Sequence, residues 1–79
     1  MAKVKVYSTP SCHLCHEVKK FLKERGVEFE DINLVGNYTA FKEMMAKSGK
    51  RGVPQIEING KMIVGFDKAA LEQELERLK

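Results

Sequence analysis

Cys12 and Cys15, separated by two residues, are the side chains best suited to covalent chemistry in this sequence, and they are its two cysteines. A bridge closing so short a loop constrains almost none of the unfolded chain, so the pair is not a structural staple. In a reducing compartment such a pair is read as redox-active or metal-binding. As a redox pair, one sulfur attacks a substrate disulfide and the second, one helical turn further on, releases the product. The flanking histidines widen the choice. Cys12-His13-Leu14-Cys15-His16 satisfies the C-x-x-C-H haem attachment pattern, with Met62 to be weighed as a distal ligand, and it offers zinc two thiols and two imidazoles. A c-type cytochrome is all-helical and is assembled after export, and both conflict with the strand patterns and the amino terminus described below. Zinc would take all its ligands from a single turn, whereas structural sites clamp two separate segments. No metal is therefore expected.

The redox reading requires the pair to stand where a strand gives way to a helix, and the surrounding pattern provides this. Lys3, Val4, Lys5, Val6 and Tyr7 alternate with the two-residue period of a half-buried strand that ends at Ser8. Ser8-Thr9-Pro10-Ser11 is turn-forming, and Leu14, Val18, Phe21 and Leu22 then recur at helical spacing until Gly26, predicting a helix over about 13–25. The first amides of a helix lack intrahelical partners and, with the helix dipole, favour negative charge. Cys12, at the cap or in the first turn, is accordingly the expected nucleophile, and Cys15 the shielded resolving thiol.

Val27 to Leu34 reads as a second strand, interrupted by Gly36 and Asn37. Tyr38, Phe41, Met44 and Met45 recur at three- and four-residue steps, giving a second helix that Ser48 and Gly49 close. Gln55–Ile58 and Lys61–Val64 flank Asn59-Gly60, the strongest short signal for a tight antiparallel hairpin. Asp67 caps a last helix with an apolar stripe of Leu71, Leu75 and Leu78. The order β-α-β-α-β-β-α predicts an α/β fold with one mixed four-stranded sheet and three helices. Phe21, Phe29, Phe41, Met44 and Met45 are expected to pack in its core, as is Tyr7, whose place near the strand end before the cysteines makes the active-site surface the alternative.

Length and composition fit one domain over residues 1–79, with 43% hydrophobic and 32% charged residues. No run approaches the roughly 20 apolar residues of a membrane span. Alternating lysines stand where a secretory signal needs an unbroken apolar segment of roughly 7–15 residues, so a cytoplasmic location is expected. The net charge of +3 is spread through mixed sequence, with only a loose cluster at Lys47, Lys50 and Arg51, which gives no support to a nucleic-acid partner.

Three segments carry a family likeness: Tyr7-Ser8-Thr9-Pro10-Ser11-Cys12-His13-Leu14-Cys15, Arg51-Gly52-Val53-Pro54-Gln55-Ile56, and Ile58-Asn59-Gly60-Lys61 leading to Gly65-Phe66-Asp67. In this order they resemble the glutaredoxin and thioredoxin-like family, closest to small glutaredoxin-like redoxins, including those that serve ribonucleotide reductase. The resemblance implies a thioredoxin fold and a monomeric thiol-disulfide oxidoreductase that reduces protein or small-molecule disulfides. It implies no tightly bound cofactor beyond the redox-active Cys12–Cys15 disulfide. It further implies a cis Val53–Pro54 bond facing the cysteines, with the Val53 backbone free to pair with a bound peptide. The substrate surface would draw on Pro10, His13, Leu14, Arg51, Val53, Pro54, Gly65, Phe66 and Asp67.

The sequence departs from glutathione-dependent relatives in two places. Thr9 stands where they often carry lysine, and Val64-Gly65-Phe66-Asp67-Lys68 stands for their Gly-Gly-x-Asp-Asp. Val64 adds a side chain where backbone approach is wanted, and Lys68 puts a cation where the ligand ammonium would sit. Arg51 still matches a position that can contact the ligand carboxylate. A thioredoxin-reductase-type donor is thus the expected reductant, with glutathione the other candidate. An iron-sulfur cluster shared between two chains, found in some relatives, usually takes glutathione as co-ligand and is disfavoured on the same grounds.

Overall fold

The strand that delivers the cysteines, β1 (Val4–Ser8), lies inside the sheet of a computed structural model that describes residues 4–78. It is followed by α1 (His13–Glu24), β2 (Glu30–Asn33), α2 (Tyr38–Ser48), β3 (Gln55–Ile58), β4 (Lys61–Val64) and α3 (Lys68–Arg77). The strands are ordered β2-β1-β3-β4. β1 pairs parallel with β2, with Tyr7 opposite Ile32, and antiparallel with β3, with Tyr7 opposite Gln55. β3 and β4 are antiparallel, with Ile56 opposite Ile63. This is the mixed four-stranded sheet with three helices expected of a thioredoxin fold.

Two cores hold it. On one face Val4, Val6, Ile56, Ile58 and Ile63 pack against Val18, Phe21 and Leu22 of α1 and Leu71 and Leu75 of α3. On the other, Tyr7 packs with Ala40 and Met44 of α2, bordered by Ile32, Leu34, Phe41 and Met62. β1 is therefore not the half-buried strand its alternation predicts. As an internal strand with helices on both faces it buries Val4 and Val6 on one side and Tyr7 on the other. Lys3, the first residue of that alternation, lies outside the described residues.

Two further expectations are corrected. β2 covers only Glu30–Asn33, because the Val27 N–H turns back to the Leu22 carbonyl (3.0 Å) at the end of α1 and Phe29 packs on the larger core. It is a short edge strand with only Ile32 half-buried. Tyr38 does not join the apolar face of α2: it is 72% exposed, with the Lys42 ammonium 5.4 Å from its ring centre. As the first residue of the helix it projects back beyond the helix end rather than onto the sheet. The Asn59-Gly60 hairpin forms as predicted, with φ of 51° and 88° at the two turn residues, both in the left-handed region that a tight primed turn requires.

α3 is anchored through Leu71, which is fully buried between the sheet and α1. Leu71→Ala removes that anchor and is expected to cost about 2–5 kcal/mol, read as a lower urea midpoint with unchanged slope; a loss below about 1 kcal/mol would mean α3 is not packed as described.

Candidate active site

The site grows from the junction of β1 and α1. α1 begins at His13, with Cys12 as its N-cap in extended conformation (φ −86°, ψ 112°). The cap is unusual in chemistry though ordinary in geometry: the acceptor is a sulfur. The Cys15 N–H donates to Cys12 Sγ at 3.2 Å, in the role that Ser, Thr, Asp or Asn oxygen normally fills. The Cys12 N–H donates to the Thr9 carbonyl (3.2 Å), which closes the turn in front of the helix.

The two sulfurs differ in environment. Both are free; Cys12 is half-buried and Cys15 is fully buried. Burial, followed by the hydrogen bond with the neighbouring Cys12 side chain, pushes the Cys15 thiol up to about 11, opposed by the Thr9 backbone and the Lys19 cation. Cys15 is thus held as a thiol at neutral pH, one turn along the helix from the half-buried Cys12.

The histidines have partners other than the sulfurs. His16 Nε2 lies 2.8 Å from the Pro10 carbonyl and so fastens the turn to the helix, while the 85%-exposed His13 ring leans toward Glu17 Oε1 at 3.6 Å. This arrangement gives no support to a zinc set of Cys12, Cys15, His13 and His16, and the four-stranded sheet rules out an all-helical haem protein. Leu14, between the cysteines, is 48% exposed.

Sheet register brings the other predicted segments to the same end. With Tyr7 opposite Gln55 and Gln55 opposite Val64, the end of β1, the Val53–Pro54 segment and the end of β4 are neighbours. The Val53–Pro54 bond is cis, as the resemblance implies, and Pro54 is buried. The Gly65 N–H donates to the Pro54 carbonyl at 2.8 Å, at a φ of 86° that favours glycine. Arg51 is exposed beside them and Val53 half-buried. Two predicted site residues also have structural partners. Phe66 packs edge-on against Phe21 with ring centres 5.8 Å apart, and the Asp67 carboxylate caps α3 through the Ala70 N–H at 3.2 Å.

One polar chain was not anticipated. Buried Ser8 donates to Asp31 Oδ1 (3.1 Å), and Asp31 Oδ2 receives the Lys19 ammonium (3.0 Å). Lys19 is four residues after Cys15, so helical spacing alone places it on the cysteine's face; its tie to β2 has no sequence signal.

Residues 4–63 match the family model described as glutaredoxin. A glutaredoxin-like 8.6 kDa protein in the rubredoxin operon of Clostridium pasteurianum is 39% identical over 74 residues, which cover 94% of this chain and 99% of that one. Glutaredoxin 3 of Escherichia coli strain K12 is 39% identical over 67 residues, covering 85% and 81%. Among solved structures, NrdH-redoxin from Escherichia coli, described as a glutaredoxin-like protein with a thioredoxin-like activity profile, matches with a TM-score of 0.80 and 26% identity, covering 89% and 91%.

The raised Cys15 thiol has a pH signature. An unfolded cysteine is half ionised near 9 and the folded Cys15 near 11, so the contribution of Cys15 to stability is fully present below the first value and is lost as pH rises through the second. Iodoacetamide at about pH 8 is expected to label Cys12 at least tenfold faster than Cys15, with the rates converging in denaturant; equal native rates by peptide mass mapping would contradict the burial of Cys15.

Proposed function

The chain belongs to the glutaredoxin family, whose members are thiol-disulfide oxidoreductases, and on that premise we propose that it is a dithiol redoxin that reduces protein disulfides, with Cys12 as nucleophile and Cys15 as resolving thiol. The Cys15 N–H to Cys12 Sγ bond carries the reading, because it puts a helix amide on the sulfur that must bear negative charge.

The exchange runs in two displacements. The Cys12 thiolate attacks one sulfur of the substrate disulfide; that S–S bond breaks, a mixed disulfide forms, and the other substrate sulfur leaves as a thiolate that takes up a proton. Cys15 then gives up its proton and attacks Cys12 Sγ, breaking the mixed disulfide and releasing the second substrate thiol. The substrate has gained two electrons and two protons, and the pair is left as a Cys12–Cys15 disulfide. Once Cys12 is bonded to substrate it no longer holds charge beside Cys15, and the Lys19 cation then favours the second thiolate.

An extended substrate segment pairs with the unengaged Val53 backbone beside Pro54, with Pro10, His13, Leu14 and Gly65 around it. A thioredoxin-reductase-type donor resets the pair. Val64 is 45% exposed at the rim, Lys68 adds a cation, and Asp67 is engaged as a cap, which together leave a poor seat for the glutamyl end of glutathione. No helix among the described residues is long and apolar enough to cross a membrane. A pair that works as a dithiol is suited to the cytoplasm, and we place the chain there as a monomer.

Cys12→Ser is expected to abolish reduction of insulin or small disulfides, and Cys15→Ser to complete the first displacement and accumulate mixed disulfide visible by intact mass; full activity in Cys12→Ser would refute the assignment. Supplied with NADPH, thioredoxin reductase is expected to regenerate the dithiol faster than glutathione with glutathione reductase. The opposite preference would show that Val64 and Lys68 do not exclude glutathione.

A further inference from the structure

Gln55, the first residue of β3, is fully buried next to the core residue Ile56. A buried amide is costly unless it is paired, and this one has a specific pairing. Its Nε2 donates to the carbonyls of Lys50 (2.9 Å) and Gly52 (2.8 Å), while its Oε1 has no partner among the described residues. The donors, then, are what this side chain contributes, and both reach back onto the loop that precedes it.

That loop has little else to hold it. Lys50, Arg51 and Gly52 are exposed, and among the described residues the loop's remaining ties are at its far end, where Ser48 Oγ accepts from the Lys50 N–H at 3.0 Å and donates to the Lys50 carbonyl at 3.3 Å. Gly52 is fixed by Gln55, and Pro54 is fixed through its carbonyl by the Gly65 N–H. Val53 stands between two pinned neighbours, and no hydrogen bond engages its own N–H or C=O among the described residues.

We propose that Gln55 is a positioning residue: it clamps the Lys50–Val53 loop so that the Val53 backbone is presented as a ready-made pairing edge, and it thereby favours disulfides carried on extended peptides over small disulfides that have no peptide backbone. The proposal rests on the reading that substrate pairs with Val53. It makes Gln55 a determinant of selectivity that never touches substrate. Preorganisation of this kind lowers the ordering cost of binding, and its loss appears in the half-saturating concentration rather than in the chemical step.

The test uses pre-reduced full-length protein in single turnover, so that no reductant enters the measurement. Insulin serves as the peptide disulfide and bis(2-hydroxyethyl) disulfide as the small one. Gln55→Met keeps side-chain length and burial but removes both donors. It is expected to raise the half-saturating insulin concentration about tenfold with the limiting rate within about twofold, and to lower the ratio of insulin to small-disulfide specificity about tenfold. Gln55→Asn, one methylene too short to reach both carbonyls, is expected to lower the same ratio less and serves if the Met variant does not fold. Equal proportional losses on both substrates would reduce Gln55 to a stability residue and overturn the proposal, as would an unchanged ratio. A wild type that reduces the small disulfide but never saturates with insulin overturns this inference alone, whereas one that reduces neither removes the dithiol reading beneath it.

Discussion

A backbone amide on a sulfur atom is the contact from which this molecule's chemistry follows. A helix must satisfy its first N–H groups, and here the acceptor that does so is Cys12 Sγ. An N-cap contributes about 1 kcal/mol and the helix dipole about 0.3–1 kcal/mol for a nearby anion. These are small energies, but in the proposed exchange they act on the sulfur that attacks first. The surrounding structure serves to keep that contact: β1 delivers the turn, the Cys12 N–H closes it on Thr9, and His16 ties it to α1.

The same helix makes its two thiols unlike. Three residues of chain lead from the half-buried Cys12 to the fully buried Cys15. Burial keeps Cys15 a thiol, and in the proposed exchange it becomes competent once Cys12 is bonded to substrate, so burial would set the order of the two displacements.

Much of this was legible in the sequence, and what was not has physical causes. The Asn59-Gly60 turn, the Asp67 cap and the apolar stripe of α3 are local devices, each written within a few adjacent residues, and all three form as read. Cys12 at the cap was readable for the same reason. The two-sided burial of β1 was not, because a strand that alternates Val with Lys looks half-buried until its neighbours are known, and Lys5 is in fact only partly exposed. The Ser8–Asp31–Lys19 chain joins three elements and obeys no periodicity. In the sequence Gln55 reads as one residue of a short strand; a side chain bonding back onto main-chain carbonyls leaves no repeating mark. The cis Val53–Pro54 bond came from family resemblance alone.

The short outer strand β2 has a bearing on how copies of the chain meet. Its four residues leave few open main-chain groups along that margin, and two of them are the exposed acids Glu30 and Asp31. A second molecule approaching to extend the sheet there would have to desolvate Glu30 and the Lys19–Asp31 ion pair for the gain of very few new rungs. The short charged margin thus guards against strand-by-strand accretion.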